Sequence, residues 1–182
     1  MNNVHVYGLS AKAKHGKDTL YEIIKKLHPQ VVRVAFADAL KEEVAEACGV
    51  TVDFINQHKD LFRPMLQWWG TEFRRQLNGN DYWIRRLEDK LSVLPEGTVV
   101  FVTDTRFQNE AEFVRSGGGH ILRLVRPGYV SDRGASHASE VELESISPDS
   151  LIVASTVEEL QQEATLWWQS QLQQISSNYG TN

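Results

Sequence analysis

The sequence has little cysteine, no long hydrophobic run and no excess of positive charge, and each absence excludes a class of protein. The single cysteine, Cys48, excludes an internal disulfide and indicates a reducing compartment, where we expect a buried, unreactive thiol. No apolar stretch approaches the length of a membrane span, and the first residues, MNNVHVYG, lack the features of a signal peptide. A formal net charge of −5 gives no general attraction to nucleic acid or to anionic membranes. We therefore expect a cytoplasmic protein with neither nucleic acid nor membrane as its partner.

Short β-branched runs alternate with segments of helical spacing along the chain. Alternation of this kind predicts parallel strands joined by right-handed crossovers, with helices on both faces of the sheet. A long helical stretch over about residues 51–93 should break near Pro64 and at the sequence NGND. The sequence therefore predicts a single α/β domain over residues 1–182 with a helical insertion. The expected strands, about five in number, lie at VHVYGL, VVRVAF, TVVFVTD, HILRLV and DSLIVA.

Two tryptophan pairs are assigned to packing. Trp68 and Trp69 follow Leu61 and Met65 at helical spacing, which favours a core position over base stacking. The second pair, Trp167 and Trp168, should pack the last helix onto the sheet, with a homodimer contact as the alternative.

The segment AKAKHGKDT, residues 11–19, resembles a phosphate-binding loop that lacks two of its usual residues. The pattern is Gly, four residues, then Gly-Lys-Ser/Thr, whereas here Ala11 replaces the first glycine and Asp18 replaces the hydroxyl residue. The segment nevertheless follows a strand and opens a helix, where backbone N–H groups and the helix dipole converge on an anion. Gly16 permits close backbone approach, and Lys17 can reach the terminal phosphates. The alternative is a basic turn that opens an amphipathic helix, with Asp18 favourable to the helix dipole.

A second part of a nucleotide site follows the third predicted strand. The run TVVFVTDTRF ends in Asp104, a position suited to a magnesium-side carboxylate at the carboxyl edge of a sheet. Arg106 leaves the same edge and could contact a phosphate in a bidentate manner. Asp18 can also hold magnesium, directly or through water. The alternatives are a helix cap near Asn109 for Asp104 and a structural ion pair for Arg106.

Four segments, taken together, resemble the deoxynucleoside monophosphate kinases of tailed bacteriophages. They are GLSAKAKHGKDT, MLQWWGTEFRRQLNGNDYWIRRL, VTDTRFQNEAEFVRSGGGHILRLVRPG and SHASEVEL, and the resemblance runs from about residue 4 to residue 160. It implies a P-loop NTPase fold of the nucleoside monophosphate kinase type. It also implies transfer of the γ-phosphoryl group of ATP to a deoxynucleoside monophosphate, with Mg²⁺ as the cofactor.

The resemblance also implies roles for individual residues. Catalysis would rest on Lys17, Asp104 and Arg106, and the metal side on Asp18 and Asp104. A helical region over about residues 37–93 would bind the acceptor, and a mobile loop over about 127–140 would close over ATP. The expected ATP-binding residues are Lys12, Ala13, Lys14, His15, Gly16, Lys17, Asp18, Thr19, Arg126 and His137, with Glu140 nearby. The expected acceptor-binding residues are Arg63, Gln67, Gly70, Thr71, Trp83, Asp104, Arg106 and Glu110.

Two rival functions stay open at this stage. One is a kinase of another small phosphorylated acceptor in the same fold, such as dephospho-coenzyme A or phosphomevalonate. The other is a nucleotide-binding module without turnover, to which the replacement at Ala11 would be suited. Trp83 and the QWWGTE segment favour a nucleobase, and the presence of Lys17, Asp104 and Arg106 favours turnover.

Overall fold

Five parallel strands form one sheet, with helices on both of its faces. The computed structural model describes residues 4–129 and 138–179, with side chains over 4–129 and 141–176. The strands are β1 (His5–Ala11), β2 (Val32–Val34), β3 (Val99–Val102), β4 (His120–Val125) and β5 (Ser150–Val153). They lie in the order β2-β3-β1-β4-β5, and every neighbouring pair is parallel. The prediction of about five parallel strands is confirmed.

Helices connect the strands and form the predicted insertion between β2 and β3. No helix in the two described ranges combines the length and the apolar character that crossing a bilayer requires. The helices are α1 (Lys17–Leu27), α2 (Phe36–Cys48), α3 (Val52–Gln57), α4 (Lys59–Gln67), a π-helix (Trp68–Arg75), α5 (Gln76–Asn78), α6 (Tyr82–Ser92), α7 (Gln108–Ser116), α8 (Ala138–Ser145) and α9 (Val157–Tyr179).

Both faces of the sheet are covered because successive strand side chains point to opposite sides. On β3, Val100 and Val102 pack with buried residues of α2, α6 and α7. Phe101 faces the other side, where α1 and α9 supply the core. Trp168 of α9 is buried there, with its ring centroid 5.7 Å from those of both Tyr7 and Phe101. The last helix therefore packs on the sheet, as its tryptophans predict.

The helical arm, residues 36–92, has a small core of its own. Val44 of α2 and Ile55 of α3 are buried together, and Met65 of α4 packs against them. The break predicted near Pro64 is wrong, because Pro64 lies inside α4 and the helix continues. A proline removes one helical hydrogen bond, but here the apolar face of α4 is held by its contacts with α2 and α3. The break at NGND is confirmed, since α5 ends before Gly79, which has a positive φ of 90°.

Two sequence-based expectations about buried side chains, those for Trp68 and Cys48, are wrong. Trp68 is 51% exposed and stacks on the ring of Phe73, because it lies on the outward side of the π-helix. Trp69 packs against the core as expected, although it is only half-buried, and its Nε1–H donates a hydrogen bond to Glu43 at 3.0 Å. Cys48 is exposed because it lies in the last turn of α2, next to the left-handed Gly49 that ends this helix.

Candidate active site

The phosphate-loop segment leaves the central strand β1 and enters α1. Ala11 is the last residue of β1 and is in register with Leu124 of β4, so its replacement of glycine introduces no backbone strain. The left-handed positions lie further along, at Lys14 with a φ of 63° and at Gly16 with a φ of 92°. Leu20 donates its N–H to the Gly16 carbonyl at 2.8 Å, which starts the helix. The remaining N–H groups of the first turn of α1 are directed toward the loop, the arrangement that binds anions.

His15 supports this loop from the protein side. Its Nδ1 accepts the N–H of Arg126 at 3.1 Å, and its ring lies edge-on to Tyr129. Burial lowers the pKa of His15, and a ring whose Nδ1 accepts a hydrogen bond carries its proton on Nε2. This Nε2 is itself buried. The imidazole thus joins the loop to the segment after β4, while its Nε2 has no hydrogen-bond partner among the described residues, so the contact of His15 with ATP stays a prediction.

Two of the three lysines of the loop are paired with carboxylates. Lys12 forms an ion pair with Glu144 of α8, and the Lys17 Nζ lies 2.7 Å from Oδ1 of Asp18. Burial acts to raise the pKa of Asp18, but the hydrogen bond and charge of Lys17 outweigh it, and this pKa is lowered. An anion that approached the Lys17 ammonium would compete with this carboxylate. Ala13 and Thr19 of the same segment are half-buried.

Asp104 caps the first helix of the arm. Its two carboxylate oxygens accept the N–H groups of Phe36 and Ala37, both at 2.9 Å. Burial raises the pKa of Asp104 in spite of these two hydrogen bonds. The alternative expected from sequence, a cap for the helix that starts near Asn109, is wrong, because Asp104 caps α2 across the sheet edge. A metal-ligand role for Asp104 would compete with this cap.

Glu110 shapes the loop that carries Arg106. Its Oε2 accepts the N–H groups of Arg106 at 2.8 Å and Phe107 at 3.1 Å. Its Oε1 lies 2.6 Å from Nη2 of Arg75, the last residue of the π-helix, and both side chains are buried. Burial raises the pKa of Glu110 to about 7, with the charge of Arg75 opposing the rise. Both carboxylate oxygens are thus engaged by protein groups, one of them by the backbone of Arg106, and the acceptor contact expected of Glu110 stays a prediction.

Arg75 was missed at the sequence level. The sequence RRQLNGND around it resembles a solvated helical end, and only the fold reveals that its guanidinium is buried. One Nη1 contact is with the Asn80 carbonyl at 2.9 Å, and the guanidinium lies 3.8 Å from the centre of the Phe107 ring. The arm is thereby attached directly to the loop that follows β3.

The residues expected to bind the acceptor are not gathered at one place. Trp83 is 4% exposed and donates its Nε1–H to the Gly70 carbonyl, so it belongs to the core and does not form a pocket wall. A Cβ on Gly70 would lie 3.0 Å from Leu40, which indicates that this glycine allows close helix packing. Arg63 is half-exposed, 3.7 Å from Asp60, while Gln67 and Thr71 are half-buried.

A cavity of about 500 Å³ opens beside the phosphate loop, between α1 and the arm. Its volume falls in the range of roughly 300–1,000 Å³ that is usual for small-molecule sites. Of the residues predicted for the acceptor, none lines this cavity, and Asp18 is the one predicted site residue that does. The lining was missed because six helices and strands and the segment after β3 contribute to it, so no local motif marks it. It consists of Asp18, Tyr21, Glu22, Arg33, Asp38, Lys41, Glu42, Val52, Asn56, Lys59, Lys90 and Thr103.

Part of the expected closing loop lies outside the described residues. His137 and residues 130–136 are not described, nor is the side chain of Glu140. Arg126 is exposed, and its guanidinium lies 5.3 Å from the centre of the Tyr129 ring.

The residues at the loop fit a magnesium ion held jointly with nucleotide phosphates. Among the residues that the structure describes, no three His, Cys, Asp or Glu side chains are grouped to hold a metal on their own. Magnesium in phosphoryl-transfer sites needs only one or two carboxylates, since substrate phosphates and water complete its shell. The Asp18 carboxylate is 76% exposed, and its lowered pKa keeps it ionised, so it meets this requirement.

Comparison with known proteins agrees with this architecture. The chain is 36% identical over 113 residues to a curated protein of Acanthamoeba polyphaga mimivirus named "Putative deoxynucleotide monophosphate kinase". That match covers 53% of this chain and 55% of the mimivirus protein, so the chain spans about half the length of the curated relative it matches. No family model matches the chain.

Two solved structures share the fold. One is the crystal structure of TT1252 from Thermus thermophilus, with a TM-score of 0.59 and 15% identity, covering 93% of this chain and 98% of that one. The other is dephospho-CoA kinase from Campylobacter jejuni, with a TM-score of 0.54 and 14% identity, covering 91% and 96%. The five-stranded parallel α/β fold expected from the sequence is therefore shared with these two proteins. The resemblance to deoxynucleoside monophosphate kinases is also confirmed, because the curated relative bears that name.

Proposed function

We propose that this protein transfers the γ-phosphoryl group of ATP to a deoxynucleoside monophosphate. The observation that carries the proposal is that the phosphate loop and the cavity meet at Asp18. This residue ends the phosphate loop at the start of α1, and it also lines the cavity beneath the arm. A donor held by the loop and an acceptor held in the cavity would meet at this point.

The chemistry requires positioning and charge stabilisation more than covalent catalysis. A phosphate oxygen of the acceptor attacks the γ-phosphorus of ATP, the bond from that phosphorus to the β–γ bridging oxygen breaks, and ADP leaves with the electron pair. The Lys17 ammonium and the Arg106 guanidinium stabilise the charge on the transferred group. Bound magnesium, held at Asp18, would supply further neutralisation of the donor phosphates.

The arm supports the acceptor role because it is tied to the sheet edge at two places. Asp104 holds the start of α2, and Glu110 holds Arg75 at the end of the π-helix. An acceptor that enters the cavity therefore meets a wall whose orientation is fixed relative to β3. The name of the mimivirus relative points to a deoxynucleotide monophosphate as the acceptor.

The test is a turnover assay with ATP, magnesium and each of the four deoxynucleoside and four ribonucleoside monophosphates, with product diphosphates separated by chromatography. We expect ADP and at least one deoxynucleoside diphosphate in equal amounts. The Lys17→Ala variant should be inactive, while Lys26→Ala, an exposed charge on the same helix, should retain activity.

Three results would contradict the proposal. Turnover of dephospho-coenzyme A or phosphomevalonate without turnover of any monophosphate would assign the acceptor to another class. Binding of ATP without product would indicate a binding module. Release of inorganic phosphate alone would indicate an ATPase.

A further inference from the structure

Two of the cations that line the cavity have no ion-pair partner among the described residues. Four of its lining residues are cations and four are acids, but the pairing between them is uneven. Within the described residues, three of the acids form ion pairs and Glu22 stays exposed on α1. Those pairs are Arg33 with Asp38 at 3.2 Å, Lys90 with Glu42 at 3.1 Å, and Asp18 with the adjacent Lys17 at 2.7 Å.

Lys41 is the half-buried cation of the cavity that has no ion-pair partner in the described part of the chain. It lies half-buried on α2, and residues 4–129 and 141–176 provide it with no hydrogen bond or ion pair, whereas the similarly unpaired Lys59 is exposed. Burial lowers the pKa of Lys41; the charges of Asp38 and Asp104 oppose this shift, while those of Lys59 and Arg33 add to it. A half-buried ammonium beside other cations carries a desolvation cost that an anion would remove.

We propose that Lys41, flanked by Lys59 and Arg33, binds the phosphate group of the acceptor, so that the cavity selects a phosphomonoester dianion. This inference rests on the proposed function for the identity of the acceptor. The placement of α2 supports it, because Asp104 fixes the start of the helix at the sheet edge and Lys41 lies within electrostatic reach of Asp104. The anion is thereby held near the residues expected to act in transfer.

This assignment replaces Arg63 as the acceptor's phosphate-binding residue. Arg63 does not line the cavity, and its guanidinium is already 3.7 Å from Asp60. The two assignments predict different results for the same ligand. Variants of Lys41 and of Arg63 therefore distinguish them.

The experiment is calorimetric titration of the full chain, without ATP, using the four deoxynucleoside monophosphates, the four matching nucleosides and inorganic phosphate. Lys41→Met should weaken monophosphate binding by at least about tenfold, as loss of a charge-assisted contact requires. Nucleoside binding should be unchanged in the same variant. The monophosphate affinity of Lys41→Arg should stay within a few fold of that of the parent. Lys26→Met should bind the monophosphate as tightly as the parent does. In the parent, the Lys41 pKa measured by NMR should rise when the monophosphate binds.

The outcomes separate this inference from the proposed function. Loss of binding in Arg63→Met with normal binding in Lys41→Met would overturn it. Equal weakening of nucleoside and monophosphate by Lys41→Met would also overturn it, since the effect would not belong to the phosphate. Binding that depends on Lys41, together with no product in the turnover assay, would support the anion site and refute the kinase. Thermal unfolding of each variant verifies that it is folded.

Discussion

The donor side and the acceptor side of the candidate active site differ in how their cations are held. On the donor side, Lys12 and Lys17 each have a carboxylate partner, Glu144 and Asp18. On the acceptor side, Lys41 is half-buried and has no such partner among the described residues. In the proposed function, binding of ATP exchanges one set of ion pairs for another. The proposed binding of the acceptor phosphate at Lys41 requires only that water leave the ammonium.

Two carboxylates that accept hydrogen bonds from backbone N–H groups lie between the two proposed sides. Asp104 binds two N–H groups of α2, and Glu110 binds two N–H groups beside Arg106. These acids form a frame between the loop and the arm. The comparison thus separates residues that contact substrates from residues that set their positions, and the following variants test that separation.

The largest effect is expected on the donor side. Lys17→Ala should lower the rate of transfer on the order of a thousandfold, or about 4 kcal/mol, because this ammonium stabilises the charge on the transferred phosphate. Steady-state kinetics with saturating ATP and acceptor measures the change, and thermal unfolding verifies the fold. A variant with near-normal turnover would remove the assignment of the phosphate loop.

Loss of the buried ion pair between Arg75 and Glu110 should mainly lower the stability of the fold. Arg75→Met leaves the buried Glu110 carboxylate without its cation, and we expect a loss of about 3 kcal/mol in the free energy of unfolding at pH 8. The double variant Arg75→Met with Glu110→Gln should recover part of this loss, since no buried charge then stays unpaired. Urea unfolding of the single and double variants measures both quantities. Additive losses in the double variant would contradict a direct ion pair.

The raised pKa of Glu110 should make the free energy of unfolding depend on pH. Its folded-state pKa of about 7 exceeds the usual carboxyl value of 4.5, so the folded protein binds the proton more tightly than the unfolded chain does. The resulting stability is complete below about pH 4.5 and is lost as the pH rises through 7. We expect this contribution to fall by on the order of 2 kcal/mol between pH 5 and pH 8. Glu110→Gln should remove that slope, and an unchanged slope would refute the assignment.

Variants of Asp104 and Asp18 should differ in which property they change, stability or the magnesium requirement. Asp104→Asn should cost about 1 kcal/mol of stability through the weakened cap and should leave the magnesium requirement unchanged. Asp18→Asn should have little effect on stability but should raise the magnesium concentration needed for half-maximal rate. Magnesium titrations of both variants make the comparison. A raised requirement in Asp104→Asn alone would restore it as the metal-side residue.

The smallest effect is expected at the strained position of the loop. Lys14 has a positive φ of 63°, so Lys14→Gly should gain about 0.5–1 kcal/mol of stability by relieving the backbone. Lys14→Ala serves as the control, because alanine in the same conformation keeps the strain. A gain of equal size in both variants would show that side-chain charge, and not backbone geometry, is responsible.

Much of the fold could be predicted from the sequence because its signals are local. Alternating β-branched runs and helical spacing gave the five strands, and the position of Gly16-Lys17 between a strand and a helix gave the loop. The acceptor side could not be predicted in the same way. Lys41 appears as an ordinary helix-surface residue until α2 packs beside Arg33 and Lys59.

Burial was the other property that the sequence could not supply. Trp83 and Glu110 have the chemistry of site residues, but packing against Gly70 and Arg75 uses their polar atoms within the protein. Trp68 has the spacing of a core residue, but the π-helix turns it outward. The partners of Glu110 and Trp83 come from distant parts of the chain, whereas the exposure of Trp68 follows from the local π-helix.

The central claim is that the phosphate loop and the cavity form one site for two substrates. The most direct measurement is calorimetric titration with adenosine joined to each of the four deoxynucleosides through five phosphates, compared with ATP and with each monophosphate. At least one such compound should bind more tightly than either substrate alone, and both Lys17→Ala and Lys41→Met should weaken it. Binding no tighter than that of ATP, unchanged by Lys41→Met, would contradict the account.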